Sequence, residues 1–238
     1  MKRLLTRVFR AAVVTGVVGV TPAVLAATHS NIVAIVERQP AAGSTVSVTF
    51  PFSGIGSEEV RDLVSGSAAS GDLLHLWLST HFVTYSYSDS ALGWHILESE
   101  SDMPEDRLTH RTGQGYLLTR TPGVDDRTLV FSGSAPEAAV TSISVPPMTW
   151  VLIGSPYPDR LALRQLSAAG ASLGDCVRVW VPDSESWLLF ELTEGGWTGP
   201  GTGADSEVGV AEAFLYYNAS DGTRDLEFTR PYPEASRP

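Results

Sequence analysis

The densest cluster of side chains that could do chemistry is a run of carboxylates in residues 98–106. Its members are Glu98, Glu100, Asp102, Glu105 and Asp106. Two carboxyl groups held about 5 Å or about 6.5–9.5 Å apart hydrolyse glycosides, and carboxylate oxygens are also the ligands that calcium prefers. The run lacks the D-x-D-x-D-G pattern of a calcium loop. We therefore expect a solvated acidic loop, with loose Ca²⁺ binding and a hydrolase that uses these carboxylates as the alternatives.

Histidine and cysteine, the other residues of metal and nucleophile chemistry, are sparse. Four histidines fall between residues 75 and 110, at His75, His81, His95 and His110. A zinc site needs three or four convergent ligands at tight spacing, so this pattern predicts no metal site. Cys176 is the single cysteine, and we expect it to be a small buried residue of a strand. We find no catalytic set and predict that the chain is not an enzyme and has no resident cofactor.

Aromatic residues are the remaining candidates for binding. Four tryptophans recur at matching places along the chain: Trp77, Trp94, Trp180 and Trp197. We expect Trp77 and Trp180, at alternate positions of a strand, to belong to the core. Trp94 and Trp197 each follow a turn glycine, Gly93 or Gly196, so we predict that they are partly exposed and could stack on sugar rings. Trp150 and Trp187 lack aromatic equivalents.

These matching places belong to an internal repeat. The segment GDLLHLW from residue 71 matches GDCVRVW from residue 174, at an offset of 103 residues, and four further blocks match in the same order at offsets of 97 to 105. An ordered set of this kind predicts a duplication. Asp72 and Asp175 recur in it, each after a glycine and before a strand. We interpret them as Asx-type turn or cap residues.

The elements that must position these residues are mostly strands. The alternation of Leu74 and Leu76, and of Val177 and Val179, is typical of strands with one buried face. Apolar spacing predicts one short helix in each repeat, at residues 58–64 and 159–168. The Asp-Gly sequence at 221–222, between strand-like runs, predicts a closing hairpin. The fold class is therefore mainly β: two tandem related repeats of antiparallel strands, sandwich- or barrel-like, with one short helix each.

The N-terminus predicts export. A basic start and an apolar run at residues 11–20 precede Pro22 and a small-residue site, so we expect a cleavable signal peptide at residues 1–26. Residues 27–133 then contain an extra strand at 31–37 and the first repeat, residues 134–141 join the copies, residues 142–230 form the second repeat, and residues 231–238 are a polar tail. The full chain carries a formal charge of −11, and removing the basic leader makes it more acidic. Such a chain should repel nucleic acid and anionic lipid.

The quoted segments also resemble a known group. The strings NIVAIVE, GDLLHLW, GQGYLLT, GDCVRVW and AEAFLYY, taken in order, are similar to uncharacterised secreted two-repeat β-rich proteins abundant in Verrucomicrobia, Planctomycetes and related bacteria. The resemblance covers essentially the whole mature chain. It implies a β-rich, non-catalytic surface or extracellular protein and supplies no catalytic residue.

Together these features predict a secreted, non-catalytic structural or adhesive protein of the cell surface or extracellular matrix. The periplasm is the alternative location. Self-assembly through the strand at residues 31–37 is one expected mode of action, so the expected partners are the protein itself, other surface proteins and glycans. We expect no stable membrane insertion after cleavage. The alternatives are a carbohydrate-binding module that uses Trp94 and Trp197, and a hydrolase that uses the acidic loop.

Overall fold

A computed structural model describes six stretches of the chain. They are residues 33–52, 68–90, 93–97, 111–123, 128–201 and 206–232. The predicted signal peptide, the helix predicted at residues 58–64 and the acidic run of residues 98–106 lie outside these stretches.

The described residues form sixteen strands, one α-helix and one 3₁₀ turn. In chain order they are β1 (Val33–Arg38), β2 (Thr45–Thr49), β3 (Leu73–Leu78), β4 (His81–Ser88), β5 (Gly93–Ile96), β6 (Gly115–Thr119), β7 (Leu129–Ser134), β8 (Val140–Val145), β9 (Thr149–Gly154), β10 (Leu161–Ala162), α1 (Leu163–Ala168), β11 (Cys176–Val181), the 3₁₀ turn (Pro182–Ser184), β12 (Ser186–Thr193), β13 (Gly196–Thr198), β14 (Glu207–Val208), β15 (Ala213–Asn218) and β16 (Arg224–Thr229). The mainly β, antiparallel fold predicted from the sequence is confirmed.

Two five-stranded antiparallel sheets carry the architecture. Sheet one has the order β2-β6-β3-β4-β5, and sheet two has the order β9-β15-β11-β12-β13. When the five strands of each sheet are numbered by their order along the chain, both sheets have the same strand order, 1-5-2-3-4. Two-stranded ribbons accompany the sheets: β1 pairs with β7, and β8 pairs with β16. The strand predicted at residues 31–37 as an extra element therefore has a counterpart, β8.

Alternating side chains give each sheet an apolar outer face and an inner face that packs in part against the other sheet. On its outer face, sheet one packs Leu74 and Tyr116 against Val36 and Leu129 of the first ribbon. The outer face of sheet two is covered by the second ribbon and by Leu163 and Leu166 of α1. The inner faces of the two sheets pack against each other, and this contact is centred on four buried residues, Leu117, Leu152, Ala213 and Leu215. The result is a layered sandwich with three apolar clusters.

Small residues let the two sheets approach closely. A Cβ atom added to Gly115 would lie 3.0 Å from Leu152 Cγ and 3.1 Å from the backbone nitrogen of Ile153. One added to Gly154 would lie 2.7 Å from the carbonyl oxygen of Glu212. Real Cβ atoms rarely come this near to backbone atoms, so larger side chains here would push the sheets apart.

The predicted closing hairpin is wrong. The turn after β15 does lead into β16, but β15 lies between β9 and β11, so both of its edges are already hydrogen-bonded. The chain must therefore leave the sheet, and β16 pairs with β8 instead. Asn218 holds this exit, because its buried side-chain amide donates to the carbonyl oxygens of Val145 and Gly222 at 3.1 and 2.8 Å.

Two predicted boundaries also change. The helix predicted at residues 159–168 begins only at Leu163, because Leu161 and Ala162 pair as a short strand with Val208 and Glu207. The second-repeat boundary predicted at residue 142 falls inside β8, which already begins at Val140.

Candidate functional site

Asp72 and Asp175 are fully buried clamps at matching places in the two sheets. The carboxylate of Asp72 accepts hydrogen bonds from the backbone N–H groups of Ala69, at 2.9 Å, and Thr121, at 2.8 Å. That of Asp175 accepts from Ser172, at 2.8 Å, and Ala219, at 2.9 Å. Each aspartate thus ties the turn before its strand to the end of a neighbouring strand. The predicted Asx turn differs, because its side chain would accept from an N–H further along the chain.

An arginine neutralises each buried carboxylate. Arg120, only 2% exposed, places Nη1 3.1 Å from Asp72, and Arg224 places Nε 3.1 Å from Asp175. The hydroxyl of Tyr216 also donates to Asp175. Burial, followed by this hydrogen bond and the carboxylate charge, raises the pKa of Tyr216 far above its usual range. These contacts place both aspartates in the scaffold.

Trp77 and Trp180 close the edges of the opposite sheet. The indole N–H of Trp77 donates to the carbonyl oxygen of Trp150 in edge strand β9 at 2.8 Å. That of Trp180 donates to the carbonyl oxygen of Thr45 in edge strand β2 at 2.7 Å. Thr45 and Trp150 differ by 105 residues, the offset at which β2 and β9 match in the sequence. Each sheet therefore satisfies an edge carbonyl of the other, which protects edges that would otherwise invite pairing.

Backbone hydrogen bonds repeat this reciprocity. The N–H of Thr49 donates to the carbonyl of Ala211 at 3.0 Å, and the N–H of Gly154 donates to the carbonyl of Gly113 at 2.9 Å. Donors and acceptors again occupy matching places in β2 and β9 and before β6 and β15. The contact between the sheets thus has an approximate twofold relation within one chain, as in isologous interfaces.

Trp197 is buried, contrary to the prediction of partial exposure, whereas Trp94 is partly exposed as predicted. Trp197 is 3% exposed inside the apolar cluster on the outer face of sheet two, which we call the second core; the cluster on the outer face of sheet one is the first core. Trp94 is partly buried against the first core, with its ring centroid 5.3 Å from that of Tyr87. In the described part of the chain, neither buried indole N–H has a hydrogen-bond partner. The two rings fill space in the cores because the strands after Gly93 and Gly196 turn them inward. Gly196 has the left-handed φ of 98° that its turn requires.

Partly exposed aromatic residues lie on the inner faces of both sheets, and those on the inner face of sheet two include Trp180 and Trp187. Sheet one covers β9 and β15 on this face but leaves much of β11 and β12 uncovered. Cross-strand pairing puts Arg178 beside Leu189 and Trp180 beside Trp187, and Glu191 follows on β12. These five residues are called the open strip. Leu189 is 47% exposed, Glu191 is exposed, and the other three are partly exposed.

Aromatic contacts hold the open strip within its own face of sheet two. The rings of Trp180 and Trp187 meet edge to face with centroids 5.1 Å apart. The guanidinium of Arg178 lies 4.5 Å above the ring of Trp150, a cation–π contact, and Trp150 in turn packs on Tyr217 at 5.1 Å. Trp180 is anchored by its hydrogen bond to sheet one, whereas no hydrogen bond within the described residues engages the indole N–H of Trp187. The strip is therefore firmly held and retains a free donor.

The matching face of sheet one carries polar side chains that hydrogen-bond to one another. His75, the counterpart of Arg178, lies 2.9 Å from the hydroxyl of Thr84 through Nδ1 and 3.1 Å from that of Thr119 through Nε2. Thr119 also bonds to the Thr45 hydroxyl at 2.8 Å. Burial lowers the pKa of His75 from its ordinary 6.5. Phe82, the counterpart of Trp187, packs on Trp77 at 4.8 Å. The expectation that Trp187 lacks an aromatic equivalent is therefore wrong.

The other candidates are dispersed. His81 and His95 are exposed on separate strands, and His110 lies outside the described residues. Cys176 is partly buried in β11, where burial and the charge of Glu191 raise its thiol pKa. Within the described stretches, no group of three His, Cys, Asp or Glu residues is placed to hold a metal ion. Among the helices described there, none is long and apolar enough to cross a membrane.

The sequence contains a signal for the open strip that the repeat analysis missed. In β12, Trp187 and Leu189 face one side while Leu188, Phe190 and Leu192 face the other, so the strand is apolar on both faces. The corresponding strand of sheet one places Thr84 and Ser86 on that side.

Comparison with known proteins adds no assignment, because the chain matches no protein family, no curated protein and no solved structure.

Proposed function

We propose that this chain is a secreted, non-catalytic structural or adhesive protein of the cell surface or extracellular matrix, built from a duplicated β unit. The observation that carries the proposal is the use made of the repeated polar and aromatic residues. Asp72 and Asp175 clamp the strands of their own sheets, and Trp77 and Trp180 close the edges of the opposite sheet. What the two halves share is a scaffold.

The duplication is supported by topology. The two sheets have the same strand order, and the contacts between them are reciprocal at matching positions. An ancestral unit that paired with a second copy of itself through an isologous interface would give this arrangement after fusion.

Contact with a surface or partner is assigned to sheet two in this proposal. Strand β1, the segment expected to drive self-assembly, pairs with β7 along its whole length, from Val33 with Ser134 to Arg38 with Leu129. One of its edges is therefore used within the chain. The open strip, by contrast, brings the exposed Leu189 together with the partly exposed Trp180 and Trp187 on one sheet face, and contiguous apolar surface of this kind is expected at an interaction site.

Cell fractionation tests the proposal. The full-length chain carrying a C-terminal tag is expressed in a bacterial host, and the tagged protein is followed in the cytoplasm, periplasm, cell surface and medium. We expect a surface or medium fraction whose first residue, read by mass spectrometry, is Ala27. Retention in the cytoplasm with an intact Met1 would refute secretion and the proposed function with it.

A further inference from the structure

We propose that the open strip binds a neutral glycan chain through stacking on Trp187 and packing against Leu189, with hydrogen bonds donated by the Trp187 indole and Arg178 and accepted by Glu191. This inference rests on the proposed adhesive function and names its ligand class.

The strip combines flat apolar surfaces with polar groups at their margins. Along β12, Trp187, Leu189 and Glu191 are about 7 Å apart in succession, because a strand rises about 3.4 Å per residue and alternate residues share a face. A sugar ring has the complementary chemistry, with C–H groups on its faces and hydroxyls around its edge. An indole can meet the face with its ring and a hydroxyl with its N–H. The length of the strip suits a short run of linked rings rather than one monosaccharide.

The matching face of sheet one shows that the scaffold does not require these residues. There, Phe82 stands for Trp187, Thr84 for Leu189 and His75 for Arg178, and the Thr84 hydroxyl is bound to His75. The fold is thus compatible with a small polar residue in place of Leu189. A leucine that is 47% exposed gains little from folding, so its presence is better explained by a ligand than by the core.

Charge points to a neutral occupant. The strip carries one cation, Arg178, and one anion, Glu191, and the Arg178 guanidinium already lies over Trp150. The whole chain has a formal charge of −11, which opposes the approach of acidic polysaccharides and nucleic acid. A neutral polymer with many hydroxyls meets no such barrier.

Affinity electrophoresis of the purified secreted chain tests the proposal. Native gels contain hydroxyethylcellulose, galactomannan or dextran as neutral polymers, or polygalacturonate as an acidic one. We expect retardation by at least one neutral polymer and none by polygalacturonate. Trp187→Ala should weaken the apparent binding by about tenfold or more, as for a central aromatic anchor. Phe82→Ala, the matched change in sheet one, should leave it unaltered.

Leu189→Thr guards against loss of folding, because it installs the residue of the matching position. It should reduce retardation while the thermal unfolding midpoint stays close to that of the parent chain. Unchanged mobility in all three neutral polymers overturns the proposal, as does equal weakening by Trp187→Ala and Phe82→Ala. A third result would also overturn the proposal: the parent chain is an oligomer that no polymer retards, and Leu189→Thr is a monomer by light scattering. The strip would then bind protein. A chain found at the cell surface but never retarded refutes the glycan alone, whereas cytoplasmic retention refutes the proposed function.

Discussion

Replacing Asp72 by alanine should destabilise the fold severely. The change removes the acceptor for two buried backbone N–H groups, those of Ala69 and Thr121, and leaves the guanidinium of Arg120 buried without its carboxylate. Removing one partner of a buried ion pair costs about 3–5 kcal/mol. The free energy of unfolding of a domain is typically about 5–15 kcal/mol, so the expected loss is a large part of it.

A double-mutant cycle isolates the ion pair from the backbone hydrogen bonds. Arg120→Met removes the cation while keeping most of the buried volume, and Asp72→Ala with Arg120→Met removes both charges. Because the double variant no longer buries a cation that has lost the Asp72 carboxylate, its loss should be smaller than the sum of the single losses by about 1–3 kcal/mol. Urea unfolding followed by tryptophan fluorescence gives the free energies, provided that the slopes of the transitions agree.

Two comparisons make the result decisive. Asp183→Ala changes an exposed aspartate within the 3₁₀ turn and should stay within about 0.5 kcal/mol of the parent. Asp175→Ala should also be costly, although Arg224 is 17% exposed and has other acceptors in Gly170 and Ser172. If Asp72→Ala lost less than about 1 kcal/mol, or if the cycle were additive, the clamp assigned to Asp72 would be wrong.

Three further predictions concern the contact between the sheets and the hydrogen-bonded His75 of sheet one. Trp180→Phe should cost about 1–3 kcal/mol in urea unfolding, because the edge carbonyl of Thr45 loses its donor; an unchanged midpoint would remove the edge-closing role. Stability should decline as pH falls below about 6.5, because the folded state lowers the pKa of His75 and the unfolded chain binds the proton more readily. Unfolding series from pH 8 to 5 should show a shallower decline for His75→Gln, and an equal decline would assign the effect elsewhere. Gly154→Ala should cost about 1–3 kcal/mol, because the added Cβ would lie 2.7 Å from a backbone carbonyl oxygen, whereas Gly222→Ala meets open space and should be nearly neutral.

Period-two alternation predicted the strands well because it reports a local property. Leu74 and Leu76 point into the first core, and Val177 and Val179 contact the second, as their spacing indicates. Strand pairing is a different matter, because a turn signal such as Asp221-Gly222 describes only the bend. Whether the flanking strands pair depends on which edges are still free, and both edges of β15 are taken by strands distant in sequence.

Burial of the tryptophans was harder to predict than their repetition. A turn glycine before Trp94 and Trp197 indicates partial exposure, which holds for Trp94. Trp197 is buried, because its short strand presents that side to the outer face of sheet two. Trp187, for which the repeat predicted no aromatic equivalent, reaches solvent because sheet one does not cover β12. The extent of overlap between two packed sheets depends on their mutual orientation, which no local pattern encodes.

The incomplete overlap of the sheets links the scaffold to the proposed adhesion surface. The twofold-like contact joins β2, β6 and β3 of sheet one to β9, β15 and β11 of sheet two. It must therefore leave part of the inner face of each sheet uncovered. Equivalent strands line the two faces, but one has the hydrogen-bonded pair His75 and Thr84 and the other has Arg178 and Leu189. Duplication would permit this divergence, because the aspartate clamps lie elsewhere and both sheets keep their edge-closing tryptophan, Trp77 or Trp180. A surface can change its chemistry at little cost in stability when no core contact depends on it, and the two faces of this protein are compatible with such a history.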